Sequence, residues 1–218
     1  MAVGDAVQEI WIFGFGSIVW KPGFQYSQRV EGYIKGYRRV FYQGSTDHRG
    51  VPGAPGRTAT LEHNPESVTW GAAFLLAGDF QHQQETLKYL EWREKQYDLR
   101  EYVDIFTKES GPTPAVKGAL VYIATANSKA NVNYLGPAPP EDIAQQIAHA
   151  VGPSGPNYEY LYNLAEAMTK MGVEDAELAW LAQRVREIRE AGRTTKQIEE
   201  GEAGRSYTTQ HNGCTAHQ

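Results

Sequence analysis

The chain has 218 residues, 41% of them hydrophobic, which is enough for one sizeable core. Its 26 acidic residues against 21 basic ones leave a net charge of −5, and with no Lys/Arg block or basic stripe nothing suggests a nucleic-acid partner. A single cysteine, Cys214, rules out an internal disulfide, and no apolar run can cross a bilayer; a cytoplasmic protein with no membrane partner is expected.

Residues 1–8 form a short lead without the basic start and long apolar run of a signal peptide. Ile10–Phe15 is the first strand, rich in the β-branched and aromatic types that suit a buried pleat. It runs into Gly14-Phe15-Gly16-Ser17. This turn has three readings: a tight turn and nothing more, a dinucleotide loop, or an anion receptor for a small substrate. The dinucleotide loop needs a third glycine and a helix start, whereas Val19 and then Trp20-Lys21-Pro22-Gly23 follow here. Backbone without side chains at the end of a buried strand leaves N–H groups open to a carboxylate or phosphate, and Ser17 reads as a binding hydroxyl.

Val30–Ile34 and Tyr37–Tyr42 read as strands with Gly32 and Gly36 as bends, followed by a Gly- and Pro-rich loop from Gly44 to Arg57. A loop of this length inside a domain points to an ordered lid or wall. Thr58–Glu62 and Val68–Leu76 are strands, and Asp79 caps a helix over Phe80–Lys95. Strands are expected at Tyr102–Thr107 and Val116–Ala124, then a loop at Asn127–Pro140. Helices open at Pro140 and at Pro156-Asn157, and a last one spans Asp175–Ala191. The pattern implies one α+β domain over 1–192, its mixed sheet curled into a barrel with flanking helices, and a disordered polar tail over 193–218.

The helix Phe80–Lys95 carries the informative carboxylate. Phe80, Leu87 and Leu90 mark an apolar stripe, and one more helical step of four reaches Glu94. A buried carboxylate is costly unless it is paired or does work, and burial raises its pKa into the range of a general base. The alternatives are an ion pair with Arg93 or Arg100, or a helix end that frays into water. Glu85 and Glu91 read as surface, the latter paired with Lys95. The six histidines show no metal-ligand spacing with a third partner. Gly16-Ser17 lacks the flanks of a nucleophile elbow.

Four blocks in order carry a family resemblance: Phe13-Gly14-Phe15-Gly16-Ser17-Ile18, then Gln43-Gly44-Ser45-Thr46-Asp47-His48-Arg49-Gly50, then Tyr89-Leu90-Glu91-Trp92-Arg93-Glu94-Lys95, then Asn133-Tyr134-Leu135-Gly136-Pro137-Ala138-Pro139. Together they resemble the ChaC-type glutathione-specific γ-glutamylcyclotransferases. The resemblance implies a barrel-like sheet, no cofactor, no metal, and glutathione as the small-molecule substrate. It implies Glu94 as the catalytic residue and Ile12, Phe13, Gly14, Phe15, Gly16 and Ser17 as the substrate-binding stretch. The family's Tyr-Gly-Ser-Leu loop reads Phe15-Gly16-Ser17-Ile18 here, so one tyrosine hydroxyl is lost. Tyr134 is either a pocket residue or a loop aromatic packed on the core. Cyclotransfer on other γ-glutamyl amino acids or amines, and non-catalytic binding by the same fold, are the alternatives.

Overall fold

The computed structural model describes residues 9–211, with side chains described for 9–194. Its sheet is built of β1 (Trp11–Gly14), β2 (Tyr26–Ser45), β3 (Gly56–Leu76), β4 (Leu99–Ile105) and β5 (Val116–Ile123) in the order β2-β3-β1-β5-β4. β1 lies in the middle, antiparallel to β3 and parallel to β5, so the sheet is mixed. Ile12 stands opposite Phe74 on one side and Leu120 on the other, with no surface left to water. That position explains why the first strand is apolar throughout: both neighbours and both faces are occupied.

The four strands expected between Val30 and Leu76 are two long, bent ones. Gly36, with φ of 82°, and residues 64–67 of the partner strand fall between the paired residues Lys35↔Val68 and Tyr37↔His63. The irregularity bends the pair and leaves the ladder continuous on either side. Pairing continues to Ser45↔Gly56, so the expected loop Gly44–Arg57 shortens to residues 46–55. At the two ends of the order, β2 and the residue that follows β4 meet at one antiparallel bridge. Tyr33 N–H donates to the Phe106 carbonyl at 2.8 Å, and Phe106 N–H returns the bond at 2.9 Å. Gly32 makes that approach possible, because a Cβ there would lie 2.5 Å from the Phe106 carbonyl oxygen.

Four helices cover the sheet: α1 (Phe80–Arg93), α2 (Pro140–His149), α3 (Asn157–Lys170) and α4 (Ala176–His211). Between α2 and α3 lies a small ribbon, β6 (Val151–Gly152) with β7 (Gly155–Pro156). The Asp79 carboxylate accepts the His82 N–H at 3.0 Å, as an N-cap should. The buried face of α1 is Gln83, Thr86 and Leu90, and Phe80 is 64% exposed, which corrects the expected stripe. Gln83 takes the inner position because its side-chain amide donates to the Leu76 carbonyl at 3.3 Å. Leu178, Leu181, Ala182 and Val185 pack the first turns of α4 into the core. The helix passes the expected stop at Ala191 and is drawn to His211. Most of the expected tail, 193–218, lies outside the residues whose side chains are described, as do residues 1–8. Among the described residues no helix is long and apolar enough to cross a membrane.

Candidate active site

The Gly14–Ser17 turn leaves β1 at the centre of the sheet and enters a one-turn helix, Ser17–Val19. Val19 N–H bonds the Gly16 carbonyl at 3.0 Å, the first bond of that turn. The N–H groups of Gly16, Ser17 and Ile18 precede it and have no acceptor within the turn. The two glycines serve space and not a special φ: Gly16 has φ of −122°, and neither is left-handed. A Cβ on Gly14 would come within 2.6 Å of the Ile18 side chain, and one on Gly16 within 2.8 Å of the Tyr160 hydroxyl. From behind, the buried guanidinium of Arg39 pins the turn. Its Nε donates to the Phe15 carbonyl at 3.1 Å, and Nη1 pairs with Asp175 at 2.8 Å. Burial pushes the Arg39 pKa down, and Asp175 opposes that push.

Glu94 caps the C-terminal end of α1, with its N–H on the Leu90 carbonyl at 2.8 Å. Its side chain is 13% exposed. Burial raises its pKa from 4.5 to about 7, against the pull of the Arg93 guanidinium, whose Nε lies 3.3 Å from Oε1. A carboxyl poised near neutrality can take and return a proton at physiological pH. The segment that follows is fixed from three sides. Tyr97 N–H bonds the Glu94 carbonyl at 2.8 Å, and the Tyr97 hydroxyl donates to the Ala59 carbonyl at 2.9 Å. The Gln96 carbonyl accepts from the buried Gln43 amide at 3.3 Å, and Asn131 donates to Gln43 Oε1 at 2.8 Å.

The turn and the carboxylate line one cavity of about 270 Å³. Phe13, Gly14, Phe15, Gly16, Ser17 and Glu94 are all on its wall. Ile12 is not: alternation along the strand puts its side chain in the core. Tyr134 is not on the wall either. It bridges Gln43 on the outer edge of β2, and its hydroxyl, near Glu62 and Tyr42, has its pKa raised mainly by burial.

Tyr97, Tyr122 of β5 and Tyr160 of α3, which sequence reasoning left out, also line the wall, and so do Asp47, His48 and Arg49 of the 46–55 loop, which the sequence marks as a lid or wall without giving each residue a role. Burial lifts the pKa of Tyr160 to about 12 and raises those of Tyr97 and Tyr122, so all three hydroxyls stay protonated. Tyr160 accepts the Ala59 N–H at 3.1 Å, which leaves its own proton for a partner in the cavity. The loop is ordered by its own contacts. Arg49 N–H donates to Ser45 Oγ at 2.9 Å, Arg49 Nη1 to the Pro156 carbonyl at 3.0 Å, and Asp47 pairs with Lys95 at 3.2 Å. A hydroxyl at the start of the apolar stripe Tyr160, Leu161, Leu164, Met168 was the legible sign of Tyr160. Among the described residues no group of three or more His, Cys, Asp or Glu is placed to hold a metal.

Residues 10–188 match the family model described as ChaC-like protein. Gamma-glutamylcyclotransferase 2-3 of Arabidopsis thaliana is 53% identical over 179 residues, 82% of this chain and 89% of that one. Glutathione-specific gamma-glutamylcyclotransferase 1 of Homo sapiens is 44% identical, covering 79% of this chain and 76% of its own. Among solved structures, the gamma-glutamylcyclotransferase specific to glutathione from yeast superimposes with a TM-score of 0.73 at 30% identity, over 83% of this chain and 97% of its own.

Proposed function

The chain belongs to the ChaC-like family, and from that premise we propose that it is a glutathione-specific γ-glutamylcyclotransferase, a lyase that cleaves glutathione to 5-oxoproline and cysteinylglycine. The observation that carries the mechanism is the shared cavity. A buried carboxylate, its pKa raised by burial to about 7, shares one cavity with the Gly14–Ser17 turn.

The substrate enters with its α-amine as an ammonium, which cannot attack. Glu94 takes one proton from it. The freed amine attacks the γ-carbonyl carbon, and a five-membered ring closes as the N–C bond forms. The bond from that carbon to the cysteinyl nitrogen then breaks as Glu94 returns its proton to the leaving nitrogen, and the second proton of the ring nitrogen passes by way of Glu94 to the departing amine, which leaves as an ammonium. No water enters the balance. The turn amides and Ser17 hold the α-carboxylate, so that amine and carbonyl are kept within reach of each other. Phe15 in place of the family tyrosine leaves these backbone donors in place. We also read the sheet as a barrel, closing where Tyr33 meets Phe106.

The test is release of 5-oxoproline from glutathione by wild type and by folded Glu94→Gln. Near-normal release by the variant removes Glu94 from the mechanism. The same assay with γ-glutamyl-alanine and γ-glutamyl-lysine measures substrate choice: glutathione is expected to be turned over well ahead of both.

A further inference from the structure

No other side chain on the cavity wall gathers as many groups as Arg93. Its Nη2 donates to Ser17 Oγ at 3.1 Å and to the Lys21 carbonyl at 2.9 Å, and its Nη1 donates to the Pro22 carbonyl. Its Nε faces Glu94 Oε1 at 3.3 Å. One planar fork thus spans the serine of the anion turn, the backbone that follows it, and the carboxylate. The chain bends to fit this fork. Gly23 has φ of 76°, and a Cβ there would lie 2.8 Å from Arg93 Nη1. The side chain is 14% exposed, so water competes little for these donors. A lysine could carry the charge, but its three donors radiate from one nitrogen and could not span these separated acceptors as a planar fork does.

Resting on the reading of Glu94 as base and the Gly14–Ser17 turn as carboxylate receptor, we propose that Arg93 is the positioning residue that holds these two halves of the site in register. It touches neither reacting atom. It sets where the carboxylate stands relative to the bound α-amine, and it keeps Ser17 turned toward the substrate. The same contact keeps the carboxylate ionised at lower pH than burial alone would allow. The other groups that face Glu94 are the phenols Tyr97, Tyr122 and Tyr160. Asp47, His48, Arg49 and Lys21 share the cavity wall with it.

The experiment is a pair of variants, Arg93→Met and Arg93→Lys, assayed on glutathione across pH, with melting temperature measured in parallel. Arg93→Met is expected to raise KM and to move the acid limb of kcat/KM up by about one pH unit or more, as loss of an adjacent opposite charge does. Arg93→Lys is expected to keep the limb near its wild-type place while KM stays raised, because charge survives and the fork does not. A merely structural arginine would lower the melting temperature and the active fraction and leave limb and KM where they were; that result overturns the proposal. Should Arg93→Met fail to fold, the lysine variant decides alone: a wild-type KM overturns the proposal, and a raised KM with an unmoved limb upholds it. Glu94→Gln separates this from the underlying reading. If it stays active, the base assignment fails and this proposal with it; if it is dead while Arg93→Met behaves as wild type, only this proposal fails.

Discussion

Two arginine–glutamate pairs lie within ten residues of each other, one on the cavity wall and one on the outer surface near the end of α1. Arg93 and Glu94 are 14% and 13% exposed, whereas Arg100 and Glu91 are 48% and 42% exposed. The ionic partners are chemically the same. In the outer pair water solvates both charges and salt screens them, so the contact contributes about 0–1 kcal/mol. In the inner pair burial works against the carboxylate's charge, and the arginine only partly restores it. The lesson is that the raised pKa of Glu94 comes from where the carboxylate is put and not from the partner it has.

The sharpest break of this comparison is a matched pair of amide substitutions. Glu94→Gln is expected to lower kcat/KM for glutathione by about 10²–10⁴, the usual range for a general base. Glu91→Gln should leave turnover within about twofold and stability within about 1 kcal/mol. Steady-state kinetics on both proteins, with folding checked by circular dichroism, reads the contrast directly.

Next in size is a pH effect on stability that the inner carboxylate alone should carry. Its folded-state pKa of about 7 lies above the ordinary 4.5, so the folded chain keeps a proton that the unfolded chain has released. Stability therefore falls as pH rises from 4.5 toward 7, by at most about 3 kcal/mol. Glu94→Gln should flatten that part of the curve in urea titrations, and Glu91→Gln should not.

A smaller effect tests the other half of the cavity. Gly16→Ala places a Cβ 2.8 Å from the Tyr160 hydroxyl. The ring is buried and tied to Ala59, so the misfit is expected to cost about 1–3 kcal/mol and to raise KM more than it lowers kcat. A melting curve and a Michaelis plot measure both.

The sequence made the first strand, its glycine turn and Glu94 legible because each departs from a local rule: glycines where a strand should go on, a carboxylate where a leucine should come next. The route to Glu94 was partly mistaken, since Phe80 stands in water and the inner face is built on Gln83 and Thr86. Glu94 is buried all the same, because Leu90 is buried and a step of four residues keeps to the same face. Tyr97, Tyr122 and Tyr160 escaped notice because they converge from a turn, a strand and a helix that only the fold brings together. The joining of four expected strands into two was hidden for a different reason: Gly36 and the Asn64-Pro65 step look like chain breaks, yet they sit in an irregularity that the partner strand absorbs.

The contact at Gly32 reaches beyond the catalytic question. Sheet borders with free amides and carbonyls invite strands from other molecules, and that is a common start of aggregation. Here the two borders bind each other at Tyr33 and Phe106, and a residue without a side chain lets them do so. The missing methyl group at position 32 thus lets the chain cover this stretch of its own border with its own backbone.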